Sequence, residues 1–262
     1  MKYVIKLGGH SLDDLSPASE MVRWLCEDLQ LLLDNGDFVC VIHGGGPQID
    51  AELALAGISS EFVEGLRVTS LDAARRTEMA LSSVNAALVL ALNSAGIRSV
   101  GLRGLDGNQV VGRPAGSPWG SVAQSPHVNP SLIEVLWASG YLPVISPITS
   151  DGKGQLLNCN ADELAGSFSR ALGADALFLL SDIDQIRLDV LDAATGLAKI
   201  TFDDLEAMVN DGRASGGMIP KAKAAIAAGR QGAARVVIAN AATKNILTKA
   251  LANQALTTEV IA

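Results

Sequence analysis

Short runs of β-branched apolar residues alternate along this chain with longer stretches whose apolar positions recur every three to four residues. Tyr3–Leu7 and Phe38–Ile42 are runs of the first kind, too short for helices and rich in Val and Ile, so each reads as a buried strand. Residues 14–33 carry helical spacing between them, and Asp34-Asn35-Gly36-Asp37 is a turn. After the second strand come Gly44-Gly45-Gly46 and Pro47, a residue that suits a first helical turn. Thr69 reads as the N-cap of a long helix reaching about Ser94 and ended by Gly96, with a short strand at Ser99–Leu102. Residues 103–128 are turn-rich and predict hairpins. Asn129-Pro130 opens a helix to about Ser139, and Leu142–Ser146 is a strand. A hairpin follows near Asp151–Leu157, then a helix capped by Asn160 through Leu172, and a strand at Ala176–Leu180. Thr201 caps another helix, Lys221–Gly229 is helical within the alanine-rich run Ala222–Ala234, and Arg235–Ala239 is the last clear buried strand. The alternation predicts an α/β fold, a mainly parallel central sheet sandwiched by helices.

Composition narrows the class. Of 262 residues 48 % are apolar but only 4 % aromatic, so the core must be aliphatic. The formal charge of −8 argues against a nucleic-acid platform, which needs a basic face. It leaves room for a small anionic substrate held by a few focused cations. No window of eighteen unbroken apolar residues predicts a membrane span, and Met1–Lys6 is too short for a signal peptide. Cys26, Cys40 and Cys159 are odd in number and lack ligand spacing, which fits reduced core thiols, a cytoplasmic location and no protein-held metal.

The candidate chemistry lies just beyond the strands. Gly8-Gly9 and Gly44-Gly45-Gly46 each follow an apolar run and precede a helix, where glycine lets backbone N–H groups approach an anion. Neither a phosphate loop of the Gly-x4-Gly-Lys-Ser/Thr type nor a Gly-x-Gly-x-x-Gly turn is present, so cationic help for phosphate must come from elsewhere. Lys6 leaves a buried strand beside Gly8, and Lys221 follows Gly216-Gly217 and Pro220. Phosphoryl transfer demands positioning and charge stabilisation more than covalent chemistry, and two lysines at opposite ends of the reaction line would supply both. Asp162 falls in a first helical turn, where it either complements the helix dipole or pairs with both lysines. Arg67 offers a planar fork for a carboxylate.

Lys-x-Gly-Gly, His-Gly-Gly-Gly-Pro-Gln, Gly-x-Arg-Val-Thr, Asn-x-Asn-Ala-Asp and Gly-Gly-Met-x-x-Lys occur in that order. The set resembles the amino acid kinase family, and within it the branch that phosphorylates N-acetyl-L-glutamate, over essentially the whole length. The resemblance implies two lobes, residues 1–175 binding acetylglutamate and forming a dimer, residues 176–262 binding ATP with Mg²⁺. It implies transfer of the γ-phosphoryl group to the side-chain carboxylate, the second step of arginine biosynthesis. By the same resemblance Lys6 and Lys221 match the transition-state lysines and Asp162 their organiser. Gly8, Gly9, Gly44 and Gly45 match backbone donors around the moving phosphoryl group, Gly44 and Gly45 on the substrate side. Arg67 and Asn158 match the holders of the substrate's α-carboxylate and acetamido end, and Ser181, Asp182 and Met218 the segments around the nucleotide.

Several positions depart from that pattern: Ala86 after Asn85, Ala123, Asp182-Ile183-Asp184-Gln185, Ala241-Ala242 and Thr257-Thr258. Gln185 would force a different turn if its position required positive φ. Two other readings stay open at this level. One is a kinase acting on carrier-linked aminoadipate or glutamate, towards which Leu102-Arg103-Gly104-Leu105-Asp106-Gly107 points. The other is a degenerate kinase that senses an amino acid or binds a partner, against which Lys6, Lys221 and Asp162 argue. A homodimer is expected through the long helix, whose Ala80, Leu81, Val84, Leu88, Val89 and Leu92 exceed one core-facing stripe. Only five residues precede Lys6, and arginine-sensitive relatives carry an additional helix there, so insensitivity to arginine is expected.

Overall fold

A computed structural model describes residues 1–8, 12–189, 192–213 and 218–262, with only the backbone of Ala193. Gly9, Gly216 and Gly217 therefore lie outside the described residues. Among the described residues eight strands form one sheet. Its centre is β1 (Lys2–Leu7), flanked by β2 (Phe38–His43) and by β11 (Ala176–Ser181). Beyond β2 lie β8 (Leu142–Ser146) and the edge strand β5 (Ser99–Arg103). Beyond β11 lie β13 (Arg235–Asn240), β14 (Thr258–Ile261) and β12 (Lys199–Thr201). Every neighbouring pair is parallel except β13 with β14, which matches the predicted class. Between β5 and β11 the chain adds a small closed barrel of β6 (Val110–Gly116), β7 (Gly120–Val128), β9 (Ile148–Ser150) and β10 (Leu156–Asn158).

Helices cover both faces. On one lie α1 (Glu20–Asp34), α3 (Leu71–Ser94) and α8 (Ile246–Leu251). On the other lie α4 (Ser131–Ala138), α5 (Ala161–Leu172), α6 (Phe202–Asn210) and α7 (Met218–Arg230). The period-2 alternation of β1 divides its side chains between these layers: Tyr3, Ile5 and Leu7 join the α1/α3 core, whereas Val4 joins the α5/α7 core. Lys6, two residues beyond Val4, therefore points to the α5 side.

Local detail corrects some boundaries. The first helix begins at Glu20 rather than near residue 14, because Asp14 ties back the Ser16 N–H at 2.9 Å and Pro17 follows. Ser70, not Thr69, caps α3, accepting from Ala73 N at 3.1 Å; Thr69 is buried and donates to the Arg67 carbonyl at 2.8 Å. The alanine-rich run leaves the helix after Arg230 and turns at Gly232, whose φ is 103°. Strands β12 and β14 and helix α8 lie beyond the elements read from the pattern, since each is too short to show a period. Of the six α3 residues on which a dimer contact was expected, Ala80, Leu81, Val84, Leu88 and Leu92 are core, because α3 packs across β5, β8 and the barrel. The exposed large apolar residues of that helix are instead Leu71, Met79 and Leu90.

Candidate active site

Parallel register brings Gly8, Gly44 and Ser181 to one edge of the sheet. Leu7 pairs with His43 and with Leu180, so the residues that follow these partners emerge side by side at the carboxyl ends of the strands. Lys6 extends from β1 to Asp162, its Nζ lying 2.8 Å from Asp162 Oδ1. Its ammonium folds over the Gly8 Cα, where any Cβ would collide with it. Asp162 is placed by the start of α5. Asn160 Oδ1 accepts the N–H groups of Asp162 at 2.8 Å and Glu163 at 3.1 Å, a built N-cap that satisfies two otherwise unpaired donors. Burial, followed by repulsion from Asp162, raises the Glu163 pKa above the ordinary carboxylate range.

Lys221 reaches the same place from α7. That helix approaches α5 closely because Gly166 lies against the backbone of Ala228, with no space for a side chain. Lys221 Nζ pairs with Asp182 Oδ1 at 2.8 Å. The expectation that Asp162 pairs with both lysines is therefore corrected. The described ion pair of Asp162 is with Lys6, and Asp182 at the end of β11 holds Lys221. The reason is positional: α5 and the β11 terminus each present a carboxylate, one toward β1 and one toward α7. Lys6, Gly8, Asp162, Ser181, Asp182 and Lys221 line one cleft of about 120 Å³. Through Asp162, Pro220 and Ala224 it adjoins a second of about 690 Å³, bordered by Gly65, Leu66, Trp119 and Glu163.

The glycine loop after β2 is more selective than the sequence suggests. The Gly44 N–H donates to the Leu7 carbonyl at 2.8 Å and so belongs to the sheet edge. The Gly45 carbonyl accepts from Ile49 N at 2.9 Å, its N–H donates to no other described residue, and a Cβ there would lie 2.8 Å from Leu81 Cδ2. His43, without solvent exposure, shares a hydrogen bond of 2.7 Å between Nδ1 and the Gly44 carbonyl, and its Nε2 lies 3.1 Å from Asn85 Nδ2. Burial holds its pKa down to about 4 from 6.5, only partly opposed by the Gly44 hydrogen bond. A histidine whose folded pKa is depressed adds its stability fully above the unfolded value and loses it as pH falls. The unfolding free energy should thus decline between pH 6.5 and about 4, by up to about 3 kcal/mol from this residue. Urea titrations of wild type and His43→Asn across that window should diverge; parallel curves would assign the acid sensitivity elsewhere.

Arg67 and Asn158 do not line the lysine clefts. Arg67 ends β4 (Leu66–Arg67), the second strand of a hairpin with β3 (Phe62–Val63) whose turn residues Glu64 and Gly65 both have positive φ. Its side chain is 6 % exposed, its Nη1 donates to Asp50 and Ser60, and its guanidinium lies 4.6 Å above the Phe62 ring. That hydrogen bond from Arg67, the largest cause, holds the Asp50 carboxyl below the ordinary range. Nε and Nη2 make no hydrogen bond to another described residue, so one edge of the fork remains for a carboxylate. Nothing in the sequence marked Asp50 as a partner seventeen residues away. The Trp119 indole donates to Val63 O at 3.1 Å, and Thr69 N donates to Trp119 O at 2.9 Å, so the β6–β7 tip clasps this hairpin. Asn158 Nδ2 lies 3.5 Å from Thr69 Oγ1, on the Arg67 side.

At the other end, the departures noted in sequence meet each other. Gln185 Nε2 donates to Thr257 O at 3.0 Å, Asn240 Nδ2 to Asp184 Oδ1 at 3.1 Å, and Ile186 N to Thr258 Oγ1 at 2.8 Å. Gln185 is not among the residues with positive φ, so glycine is not required there. Met218 is buried beneath this loop, its sulfur accepting from Arg187 N at 3.1 Å, and does not line the lysine cleft. Among the described residues no cluster of three or more His, Cys, Asp or Glu is placed to hold a metal. No described helix is long and apolar enough to cross a membrane.

Two lysines and two carboxylates at the carboxyl edge of a parallel sheet, beside a glycine loop, are suited to a polyphosphate. The sequence model of the amino acid kinase family matches residues 1–240. The chain belongs to the amino acid kinase family. It is 35 % identical to the acetylglutamate kinase of Methanococcoides burtonii over 271 aligned residues, covering 98 % of this chain and 88 % of the relative. It is 38 % identical to that of Methanocaldococcus jannaschii, covering 91 % and 82 %. Among solved structures, smu.665 from Streptococcus mutans UA159 superposes with a TM-score of 0.79 at 25 % identity, covering 100 % of this kinase and 98 % of that chain.

Proposed function

We propose that this enzyme transfers the γ-phosphoryl group of ATP to the side-chain carboxylate of N-acetyl-L-glutamate, giving N-acetyl-L-glutamyl 5-phosphate for arginine biosynthesis. The observation that carries the chemistry is the convergence of Lys6 and Lys221, each with its own carboxylate, on one cleft beside Gly8. A carboxylate oxygen of the acceptor attacks the γ-phosphorus in line, and the bond to the bridging oxygen of ADP breaks. Lys6 and Lys221 offset charge on the equatorial and leaving oxygens as the phosphoryl group moves. Asp162 and Asp182 hold these ammonium groups in place before the reaction. The cations around Gly8 fit a polyphosphate. Mg²⁺ carried by the nucleotide would neutralise phosphate charge when bound, with few protein ligands required.

The substrate's α-carboxylate is assigned to the free edge of Arg67 and its acetamido end to Asn158, within residues 1–175. ATP is assigned to residues 176–262, near Ser181, Asp182 and the Met218 segment. The carrier-linked alternative is not favoured by the relatives found. We further propose a homodimer built on the outer face of α3, where Met79 is 53 % and Leu90 64 % exposed beside the unpaired edge of β5. Light scattering should return twice 27.1 kDa; a monomer mass would remove that assignment. The three buried, unpaired thiols fit a cytoplasmic location.

The direct test is to incubate the protein with ATP, Mg²⁺ and N-acetyl-L-glutamate in hydroxylamine and measure hydroxamate. No product above the ATP-free control would reject the reading. Arg67→Lys should raise KM for acetylglutamate by about tenfold and lower kcat by less, because the ammonium keeps the charge but lacks the planar fork. An unchanged KM would place Arg67 outside the acceptor site.

A further inference from the structure

The proposed reaction leaves one group unused: His43, fully buried at the end of β2, directly before the glycine loop. Its hydrogen bonds determine its tautomer. Asn85 Nδ2 lies 3.0 Å from the Val144 carbonyl and 3.1 Å from His43 Nε2. A carbonyl only accepts and an amide nitrogen only donates, so the amide is oriented with its NH₂ toward both. His43 Nε2 is therefore the acceptor. In the neutral ring Nδ1 then carries the proton, and it donates to the Gly44 carbonyl at 2.7 Å. The opposite amide orientation would set two oxygens against each other at Val144. Gly101 accommodates the Asn85 oxygen, since a Cβ at that position would overlap it.

This chain of donors has a geometric consequence. In a trans peptide the carbonyl of one residue and the N–H of the next point in opposite directions. With the Gly44 carbonyl drawn back to the buried imidazole, the Gly45 N–H faces away from the core. The Gly44 N–H is already committed to Leu7 O, and the Gly45 carbonyl accepts from Ile49 N at 2.9 Å, whereas the Gly45 N–H has no described partner. The Gly45 N–H is thus an oriented donor at the sheet edge where Lys6 and Gly8 emerge. We propose that His43, held as its Nδ1–H tautomer by Asn85, is a positioning residue that aims the Gly45 N–H at the transferring phosphoryl group. The proposal rests on the kinase reading above and adds to it the device that orients the loop. It also accounts for the Asn85 amide nitrogen and the His43 ring buried together in an otherwise aliphatic layer, an arrangement that burial disfavours unless such groups are paired.

Two substitutions separate positioning from mere support of the core. In His43→Asn the amide nitrogen takes the Nδ1 position and keeps a donor for Gly44 O, while the contact to Asn85 is lost. In His43→Gln the amide extends to the Nε2 position, keeps an acceptor for Asn85 and has no donor at Nδ1. Both replace the ring by a smaller amide, so both should lower Tm. Positioning predicts that the Asn variant keeps kcat within about fivefold of wild type. The Gln variant should fall about a hundredfold, the size of a lost backbone donor at an anionic transition state, with KM for acetylglutamate within about threefold. If kcat falls equally in both, or follows Tm alone, the role is structural and the proposal is wrong.

A second measurement on wild-type protein is independent of the acceptor. Long-range ¹H–¹⁵N correlation should show a protonated Nδ1 and an unprotonated Nε2 for His43, and ATP with Mg²⁺ should shift the Gly45 amide proton. An Nε2–H tautomer, or a Gly45 amide unmoved while Gly8 shifts, would overturn the positioning role even if hydroxamate forms. Lack of hydroxamate with a Gly45 shift would instead fault only the acceptor.

Discussion

Lys221→Ala should lower kcat by about 10²- to 10³-fold while KM for N-acetyl-L-glutamate stays within a few-fold. Lys221 reaches the cleft from α7 and pairs there with Asp182, on the side of the sheet assigned to the nucleotide. Its ammonium meets the charge that grows between the β- and γ-phosphates, so its removal costs most in the transition state. Arg67 and Asn158, to which the acceptor is assigned, do not line the cleft that holds Lys221. Initial rates of hydroxamate formation at saturating ATP give both constants. A variant with kcat near wild type would refute the assignment. A large rise in acetylglutamate KM alone would move Lys221 to the acceptor. Removing the lysine also leaves Asp182 half exposed without this ion pair, a change solvent accommodates readily. Tm should therefore move little, which separates the loss of rate from loss of fold.

Asp162→Asn should lower kcat by about 10²-fold although the side chains are nearly the same shape. Asn160 caps α5 with its own side chain and holds the Asp162 and Glu163 N–H groups, so the helix start survives the substitution. What changes is the partner of Lys6 Nζ, at 2.8 Å and mostly shielded from solvent. A neutral amide neither attracts that ammonium as strongly nor orients it as an ion pair does. The lysine then folds elsewhere, and the position over Gly8 is no longer held. Circular dichroism should be unchanged and the loss should appear in kcat. Activity above about a tenth of wild type, the range of one lost neutral hydrogen bond, would reduce Asp162 to a helix-dipole residue. The corresponding Asp182→Asn should cost less, since its carboxylate is about half exposed and screened.

Both predictions concern residues visible in the sequence, but the pairing that distinguishes them is not. Lys6, Asp162 and Lys221 stand out because each interrupts or follows a strongly patterned element: a lysine inside Val4-Ile5-Lys6-Leu7, an aspartate after a helix cap, a lysine after a glycine turn. The carboxylate of Asp182 reads as part of a nucleotide segment, and nothing local joins it to a lysine thirty-nine residues later in the chain. The packing of α7 beside the end of β11 makes that connection. Arg67 shows the same limit. Its fork suits a carboxylate, but Asp50 and Ser60 occupy Nη1 because α2 (Gly46–Leu55) and the following loop return beside the hairpin.

The sequence alone determined the central buried strands, the long helices, the parallel class and the glycine turns. These follow from interactions within a few residues: side-chain alternation, 3.6-residue spacing, and caps at Asn160 and Thr201. It also carried the ordered motifs that mark a phosphotransferase, because such chemistry limits which residue types can stand beside a strand end. Tertiary structure alone decided which carboxylate serves which lysine, that Gly44 serves the sheet while Gly45 keeps its donor, and that most apolar residues of α3 are core. It also decided that the Gln185 side chain is tied to the Thr257 carbonyl. These outcomes depend on register between strands and on close helix contacts such as Gly166 against Ala228, which bring together residues distant in the chain. The free energy of a buried polar group is set by the partner it finds in space, and no window of the sequence contains that partner.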